Sequence, residues 1–453
     1  MKFLIYKNMK KLILLLALLC GNYVFAQTPA LVGYWQNWQD SQSPYIHLTQ
    51  IDTSYNVIEV SFAVPVGGTT WNMTFTPDAV SQTTLISQID SLKAKGKKVV
   101  ISIGGATAQV ILNDVSQMNI FVNSMTSIIN TYHFDGIDID LENSTTLTGG
   151  TIANPTDAKI INLINGIKQL MTNFRNTHHK KMFLSMAPET AYVQGGMSAF
   201  GGIWGAYLPI IHALRDSIDI LHVQLYNSGS MFGIDGRIYN QGTADFIVAM
   251  TEAVIHGFNT TGGQFTGLRA DQVAVGLPAC SAAAGAGSFI HPDTVRAAIK
   301  YLMGTGPKPG TYTRLNFYPT LRGMMTWSIN WDNTTTCHTT RYEFAKNFVR
   351  IFAPGAIGIS ENNSTVKNFS LNQNYPNPFN PSTVITFEVN KEGVVFIQLF
   401  DNLGKEVQTL TNKFYNRGSH QIYFNGENLT AGTYYYKLTA GVFTETKKMV
   451  LVK

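Results

Sequence analysis

Cysteine is almost missing from this chain: its 453 residues hold three, Cys20, Cys280 and Cys337. Charge is thin as well, with 13% charged residues against 45% apolar ones, so there is enough apolar material for a large core and a second, smaller one. The net charge is +5. Lys2, Lys7, Lys10 and Lys11 supply most of it, and without them the chain is close to neutral. That excludes the basic surface a nucleic acid or an acidic membrane face would need. Beyond the N-terminus no apolar run is long enough to cross a bilayer, which excludes a stable membrane span. Tryptophan is absent after residue 331; all six (Trp35, Trp38, Trp71, Trp204, Trp327 and Trp331) lie in the first part of the chain.

The N-terminus has the form of a secretory leader. The four lysines precede a short apolar run, Leu12 to Cys20. Val24-Phe25-Ala26 then makes a small-residue cleavage site, giving a leader of residues 1–26 and a mature start at Gln27. A lipid anchor on Cys20 would want a smaller residue than Leu19 before it. Cys20 leaves with the leader, and Cys280 and Cys337 remain. In an oxidising compartment they can pair or stay as two buried thiols, and spacing alone does not decide.

What is present in strength is one stretch, FDGIDIDLE, from Phe134 to Glu142. Read as a strand, it puts Asp138, Asp140 and Glu142 on one face, about 6.6 Å apart per step at roughly 3.3 Å per residue. Ile137, Ile139 and Leu141 take the other. A buried parallel strand is normally apolar on both sides. Three acids on one side repel one another and lose hydration, which raises the pKa of at least one and favours a shared proton. A carboxyl that stays protonated near neutral pH suits general acid catalysis. The loop lacks the ligand spacing of an EF-hand, so no metal is assigned, and no cofactor is called for.

Strand candidates recur along the chain: Leu31–Asn37, Val57–Val64, Lys98–Ile103, Asp135–Leu141, Met182–Ala187, Ile220–Tyr226, Val273–Leu277 and Gly323–Ser328. Each is short and apolar. Helical periodicity separates them, as at Leu85, Ile89 and Leu92, or Phe121, Met125 and Ile128. Eight strand–helix repeats predict an α/β fold, a (β/α)8 TIM barrel, over residues 27–352, with its site at the C-terminal ends of the strands. Cys280 and Cys337 follow the adjacent seventh and eighth strands, and a disulfide between them is expected.

The acidic stretch resembles the DxxDxDxE signature of the family 18 glycoside hydrolases, the chitinase family, complete at Asp135, Asp138, Asp140 and Glu142. KVVISIGG resembles the family's SxGG motif at Ser102, Gly104 and Gly105. The resemblance implies hydrolysis of β-1,4 bonds between N-acetylglucosamine units of chitin. It implies Glu142 as the acid, Asp140 as the group that orients the substrate acetamide, Asp138 as its proton-sharing partner and Tyr226 as a donor to the acetamide carbonyl. Trp327 matches the tryptophan that floors the sugar site. Gln224, Asn227, Met186 and Trp35 are placed at strand ends as further substrate contacts, with Trp38 and Trp331. Asp135, off the acidic face, is expected to be structural. An endo-β-N-acetylglucosaminidase acting on N-glycans uses the same acids. A non-catalytic chitin lectin usually lacks the acid at the position of Glu142.

After Phe352 the character changes. Residues 353–370 form a polar linker, and residues 371–453 carry short alternating strands between turns. These predict a small β-sandwich. YPNPFNPST and the last residues, Lys447–Lys453, resemble the C-terminal sorting domain of the type IX secretion system, implying export by that machinery to the cell surface or medium. A sugar-binding module is the alternative; the missing tryptophan weighs against it, while Tyr434, Tyr435 and Tyr436 keep it open. The chain is read as a monomer.

Overall fold

The computed structural model describes residues 28–352, apart from 143 and 338, and 369–453, apart from 390, 391, 403, 404, 441 and 442. These form two units. The leader and nearly all of the linker lie outside the described residues, as do parts of the turns at residues 402–404 and 440–441. No helix among the described residues is long and apolar enough to cross a membrane.

The first unit is built on parallel strands β1 (Ala30–Gln36), β2 (Val57–Pro65), β3 (Lys98–Gly104), β4 (Gly136–Asp140), β5 (Phe183–Met186), β6 (Ile220–Leu221), β7 (Ala274–Pro278) and β8 (Gly323–Trp327). They hydrogen-bond in the order β7-β8-β1-β2-β3-β4-β5-β6. Bridges from Leu221 to Val273 and from Gln224 to Gly276 bring β6 back to β7 and close the ring. The predicted sixth strand was longer: regular pairing stops at Leu221, and the segment to Tyr226 is held by single bridges.

Helices α1 (Gln82–Ala94), α2 (Val115–Tyr132), α3 (Ala158–His178), α4 (Leu208–Leu214), α5 (Ala244–His256), α6 (Pro292–Met303) and α7 (Glu343–Phe352) follow β2 to β8. The first repeat departs from the expectation: between β1 and β2 the described chain makes only a 3-10 turn at Leu48–Gln50. The local signals are ordinary. Asp114 caps α2 by accepting from the Gln117 amide at 2.8 Å, and His133 ends it in the left-handed region at φ 60°. Its buried stripe, Phe121, Met125, Ile128 and Tyr132, has helical spacing.

Strand alternation then sorts the side chains into two cores. Ile137, Ile139 and Leu141 join the large cluster between sheet and helices. The barrel interior holds a smaller apolar cluster that includes Val32, Tyr34, Val57, Val100, Phe183 and Met325. The interior positions of β4, Asp138 and Asp140, point into this space. Cys280 and Cys337 are disulfide-bonded, with Cα atoms 6.0 Å apart, inside the ordinary range for such a bond.

The second unit is built on two antiparallel sheets. β9 (Phe369–Leu371), β10 (Ser382–Val389) and β13 (Gly418–Asn425) form one sheet. β11 (Gly393–Phe400), β12 (Glu406–Tyr415), β14 (Gly432–Ala440) and β15 (Phe443–Leu451) form the other. Alternating residues of both, among them Ile385, Phe387, Ile397, Leu399, Tyr436 and Leu438, share one apolar core, as sheets packed face to face do.

Candidate active site

A cavity of about 570 Å³ opens among the C-terminal ends of the strands. Glu142, Asp140, Gln224, Tyr226, Asn227, Gly104, Gly105 and Trp327 line it, with Trp38 and Phe62. Most of the expected site is therefore brought together.

The acids sit at graded depth. Asp138 is fully buried and Asp140 nearly so. Asp138 Oδ2 accepts from the Tyr34 hydroxyl at 2.6 Å and from Ser102 Oγ at 2.7 Å. Ser102 thus works beneath the site, through Asp138. Gln224 Nε2 donates to Asp140 Oδ1 at 2.9 Å and to the Ala187 carbonyl at 2.9 Å, and approaches Glu142 Oε1 at 3.5 Å. The amide thereby fixes where Asp140 stands relative to Glu142.

Burial comes first in setting the protonation of these groups. It raises Asp140 well above the ordinary carboxyl range, and the charges of Glu142 and Asp138 add to it. It raises Glu142 too, against the opposing effect of the Gln224 hydrogen bond. Glu142 therefore keeps its proton to higher pH than a free glutamate. Burial, then the Asp140 and Glu142 charges, push Tyr226 far up, so its hydroxyl remains a donor. Glu189, just past β5, is raised to about 7 by burial and by the Glu142 charge.

The glycines of the third strand have steric work. A Cβ on Gly104 would stand 2.3 Å from the Asp140 carbonyl oxygen, and one on Gly105 would stand 2.9 Å from the Phe62 ring. Both have positive φ, 109° and 81°, a region side chains disfavour. Asn227 also has positive φ, 54°. Its Oδ1 accepts from the Gly285 amide at 2.8 Å, tying the strand end to the following loop.

Three expected contacts are corrected. Trp35 is fully buried away from the cavity, and its Nε1 donates to the Ile46 carbonyl at 2.8 Å. Met186 is equally buried in the cluster under the helices. Both occupy the outward parity of their strands: Tyr34 beside Trp35, and Ser185 beside Met186, take the inward one. Trp331 lies on a single turn, Ile329–Asp332, off the cavity lining. Asp135 lies 3.1 Å from Lys180 Nζ and 3.7 Å from Lys93 Nζ, outside the acid column.

Sequence reasoning missed Phe62, Tyr34, Glu59 and His222. Phe62 stacks with Trp327 and Trp38. Glu59 and His222 are completely buried. Signals existed: an acid inside the apolar run VIEVSF, and a histidine on the same alternation as Gln224 and Tyr226.

The model of the glycosyl hydrolases family 18 matches residues 30–338. The chain belongs to glycosyl hydrolase family 18. A second model, of a secretion system C-terminal sorting domain, matches residues 373–453. Chitinase Chi52 of Paenibacillus xylanexedens is 46% identical over 316 residues, 68% of this chain and 59% of that protein. Chitinase ChiA of Flavobacterium johnsoniae is 32% identical over 405 residues, 84% of this chain and 25% of that protein. The chain thus spans less than two thirds of the length of these curated relatives. Among solved structures, a family 18 chitinase from Chromobacterium violaceum shares 38% identity at a TM-score of 0.64, covering 72% of this chain and 85% of that one. Glu142, the last acid of the stretch, lines the cavity and is half-buried.

Proposed function

We propose that this protein is an exported chitinase, hydrolysing β-1,4 bonds between N-acetylglucosamine units with retention. The observation that carries the reading is the pairing of a half-buried Glu142, whose pKa burial raises, with the buried Asp140 on the wall of a cavity lined by Trp327, Phe62 and Trp38. Aromatic faces suit the apolar faces of pyranose rings. Glu142 gives its proton to the leaving glycosidic oxygen. The family is one in which the substrate's own 2-acetamido oxygen replaces a carboxylate nucleophile. That oxygen attacks the anomeric carbon as the glycosidic bond breaks, forming an oxazolinium ion that water then opens. Asp140 orients the acetamide nitrogen and offsets its developing positive charge. Asp138 shares a proton with Asp140, and Tyr226 donates to the acetamide oxygen. Trp327, Gln224 and Asn227 hold the sugar.

The sorting reading of residues 373–453 belongs to the same proposal. A leader at residues 1–26 starts export, the barrel spans 27–352, a linker spans 353–370, and a tail at 371–453 hands the chain to the type IX machinery. The product is a monomer at the cell surface or in the medium.

Purified protein should cleave chitin oligomers and release the β-anomer first, read by NMR, while leaving a high-mannose glycoprotein intact. Glu142→Gln should lower kcat by about 10² to 10⁴ and leave oligomer binding in place. Full activity in that variant, or cleavage of the glycoprotein alone, rejects the reading. Deleting residues 371–453 should abolish export in the native host without lowering activity on soluble oligomers.

A further inference from the structure

Beneath the acids the barrel holds a second ionisable group that the hydrolysis above does not use. Glu59 on β2 and His222, just past β6, are both completely buried. His222 Nε2 lies 2.8 Å from Glu59 Oε1 and 3.8 Å from Asp138 Oδ1. Glu59 Oε1 also accepts from Ser185 Oγ at 2.7 Å. The Tyr34 ring stands edge-on to the imidazole, with centroids 6.2 Å apart at 89°.

Two oxygens in this column are left over. Asp138 Oδ1 and Glu59 Oε2 are buried and have no hydrogen-bond partner among the described residues. A buried carboxyl oxygen without a donor is costly, and more so when the group is charged. Asp138 Oδ2 is already filled by Tyr34 and Ser102. The nitrogen that faces Oδ1 is His222 Nε2, which carries a hydrogen when the imidazole is protonated. The 3.8 Å gap closes to a hydrogen bond with a movement of about 1 Å, and a ring torsion of this kind is broad enough to supply it.

We propose that His222 and Glu59 are positioning residues for the hydrolysis: the imidazole N–H is a shared donor that turns from Glu59 to Asp138 Oδ1 whenever Asp138 holds the negative charge, and returns when the proton shared with Asp140 comes back. No covalent bond forms or breaks at either residue. The proton passed between Asp138 and Asp140 stays in that pair, and the imidazole supplies a hydrogen bond and positive charge. The inference rests on the roles given above to Asp138 and Asp140. Burial alone would lower His222, but the Glu59 charge and hydrogen bond, with the Asp138 charge, outweigh it and raise the imidazole. Burial and Asp138 raise Glu59 against the pull of His222. The other titratable groups facing this column are Tyr34 on β1, Asp140 on β4 and Tyr226 beyond β6. β3 and β5 offer the non-titrating Ser102 and Ser185, and β7 and β8 offer Ala274 and Met325.

The test is the pH profile of kcat on chitin oligomers with the full chain. An opposite charge within about 4–6 Å moves a carboxyl by about 1–3 units. His222→Gln removes the cation, so the acidic limb should rise by about one unit. Glu59→Gln removes an anion and frees the imidazole for Asp138, so the limb should fall. KM should stay within about twofold in both, because neither residue reaches the sugar. A purely structural pair would lower the melting temperature in both variants and leave both limbs at the wild-type position; that result, or shifts of one sign, overturns the proposal. Should either variant fail to fold, the wild-type protein labelled with ¹⁵N-histidine decides. The His222 ring signal should move across the same pH range as the acidic limb, and a signal that stays constant there overturns the proposal. Wild-type protein inactive on oligomers would instead reject the chitinase reading, and it is seen before any variant is compared.

Discussion

Phe62 and Trp327 lie face to face, their ring centroids 5.8 Å apart and their planes 12° from parallel. Trp38 stacks on Phe62 at 6.2 Å and 29°. Three aromatic rings from three strand ends thus make one wall of the cavity. Phe62 also lies against Gly105, where any side chain would collide with it. The glycine of the third strand and the wall are one construction.

Removing rings from this wall should weaken sugar binding more than chemistry. Trp327→Ala should raise KM for chitin oligomers about tenfold or more, a loss of about 1.4 kcal/mol, with a smaller fall in kcat. Phe62→Ala should raise it less, since Trp327 remains but loses the ring that holds its plane. Steady-state kinetics on a pentamer would separate the two, and equal effects on kcat alone would contradict a binding role.

Gln224 should matter for pH dependence as well as rate. Its hydrogen bond favours the charged form of Glu142, so Gln224→Leu should let Glu142 hold its proton longer. The alkaline limb of the kcat profile should move to higher pH, while kcat at the optimum falls by about tenfold as Asp140 loses its donor. The Ala187 carbonyl also loses its partner, which should cost about 1–3 kcal/mol in denaturant titrations.

Glu189 makes stability depend on pH in an unusual direction for an acid. In the folded protein it is raised to about 7 by burial and by Glu142, whereas an unfolded glutamate titrates at about 4.3. Between those values the folded state binds more protons, so stability falls as pH rises through that window. Glu189→Gln should flatten that slope, with its gain over wild type largest above pH 7. Melting temperatures across pH 4 to 8 check this, and parallel curves for the two proteins would contradict it.

The Cys280–Cys337 bond closes the chain between positions 57 apart. Loop-closure entropy for that length is worth about 4 kcal/mol. Cys337→Ser, or reduction of the wild type, should lower the melting temperature by several degrees while the activity of the folded fraction stays close to normal. An unchanged melting temperature would show the bond to be without weight.

Much of this was legible in the residues. The period-two alternation of Asp138, Asp140 and Glu142 against Ile137, Ile139 and Leu141 marked both faces of β4, because acids identify a face that apolar residues do not. The eight strands, the separate β-rich tail and the glycines beside the third strand follow from pattern in the same way. On β1 and β5 that reasoning had nothing to hold. In ALVGYWQ both parities carry a large aromatic, and in FLSM both carry an apolar group, so hydrophobicity alone could not say that Tyr34 and Ser185 turn inward while Trp35 and Met186 turn out. Only ring closure decided it, by fixing which parity of every strand faces the axis. Closure also set Glu59 and His222, 163 residues apart, at 2.8 Å, and stacked Phe62 on Trp327. Local pattern determines which faces a strand has; the register and closure of the barrel determine what each face meets.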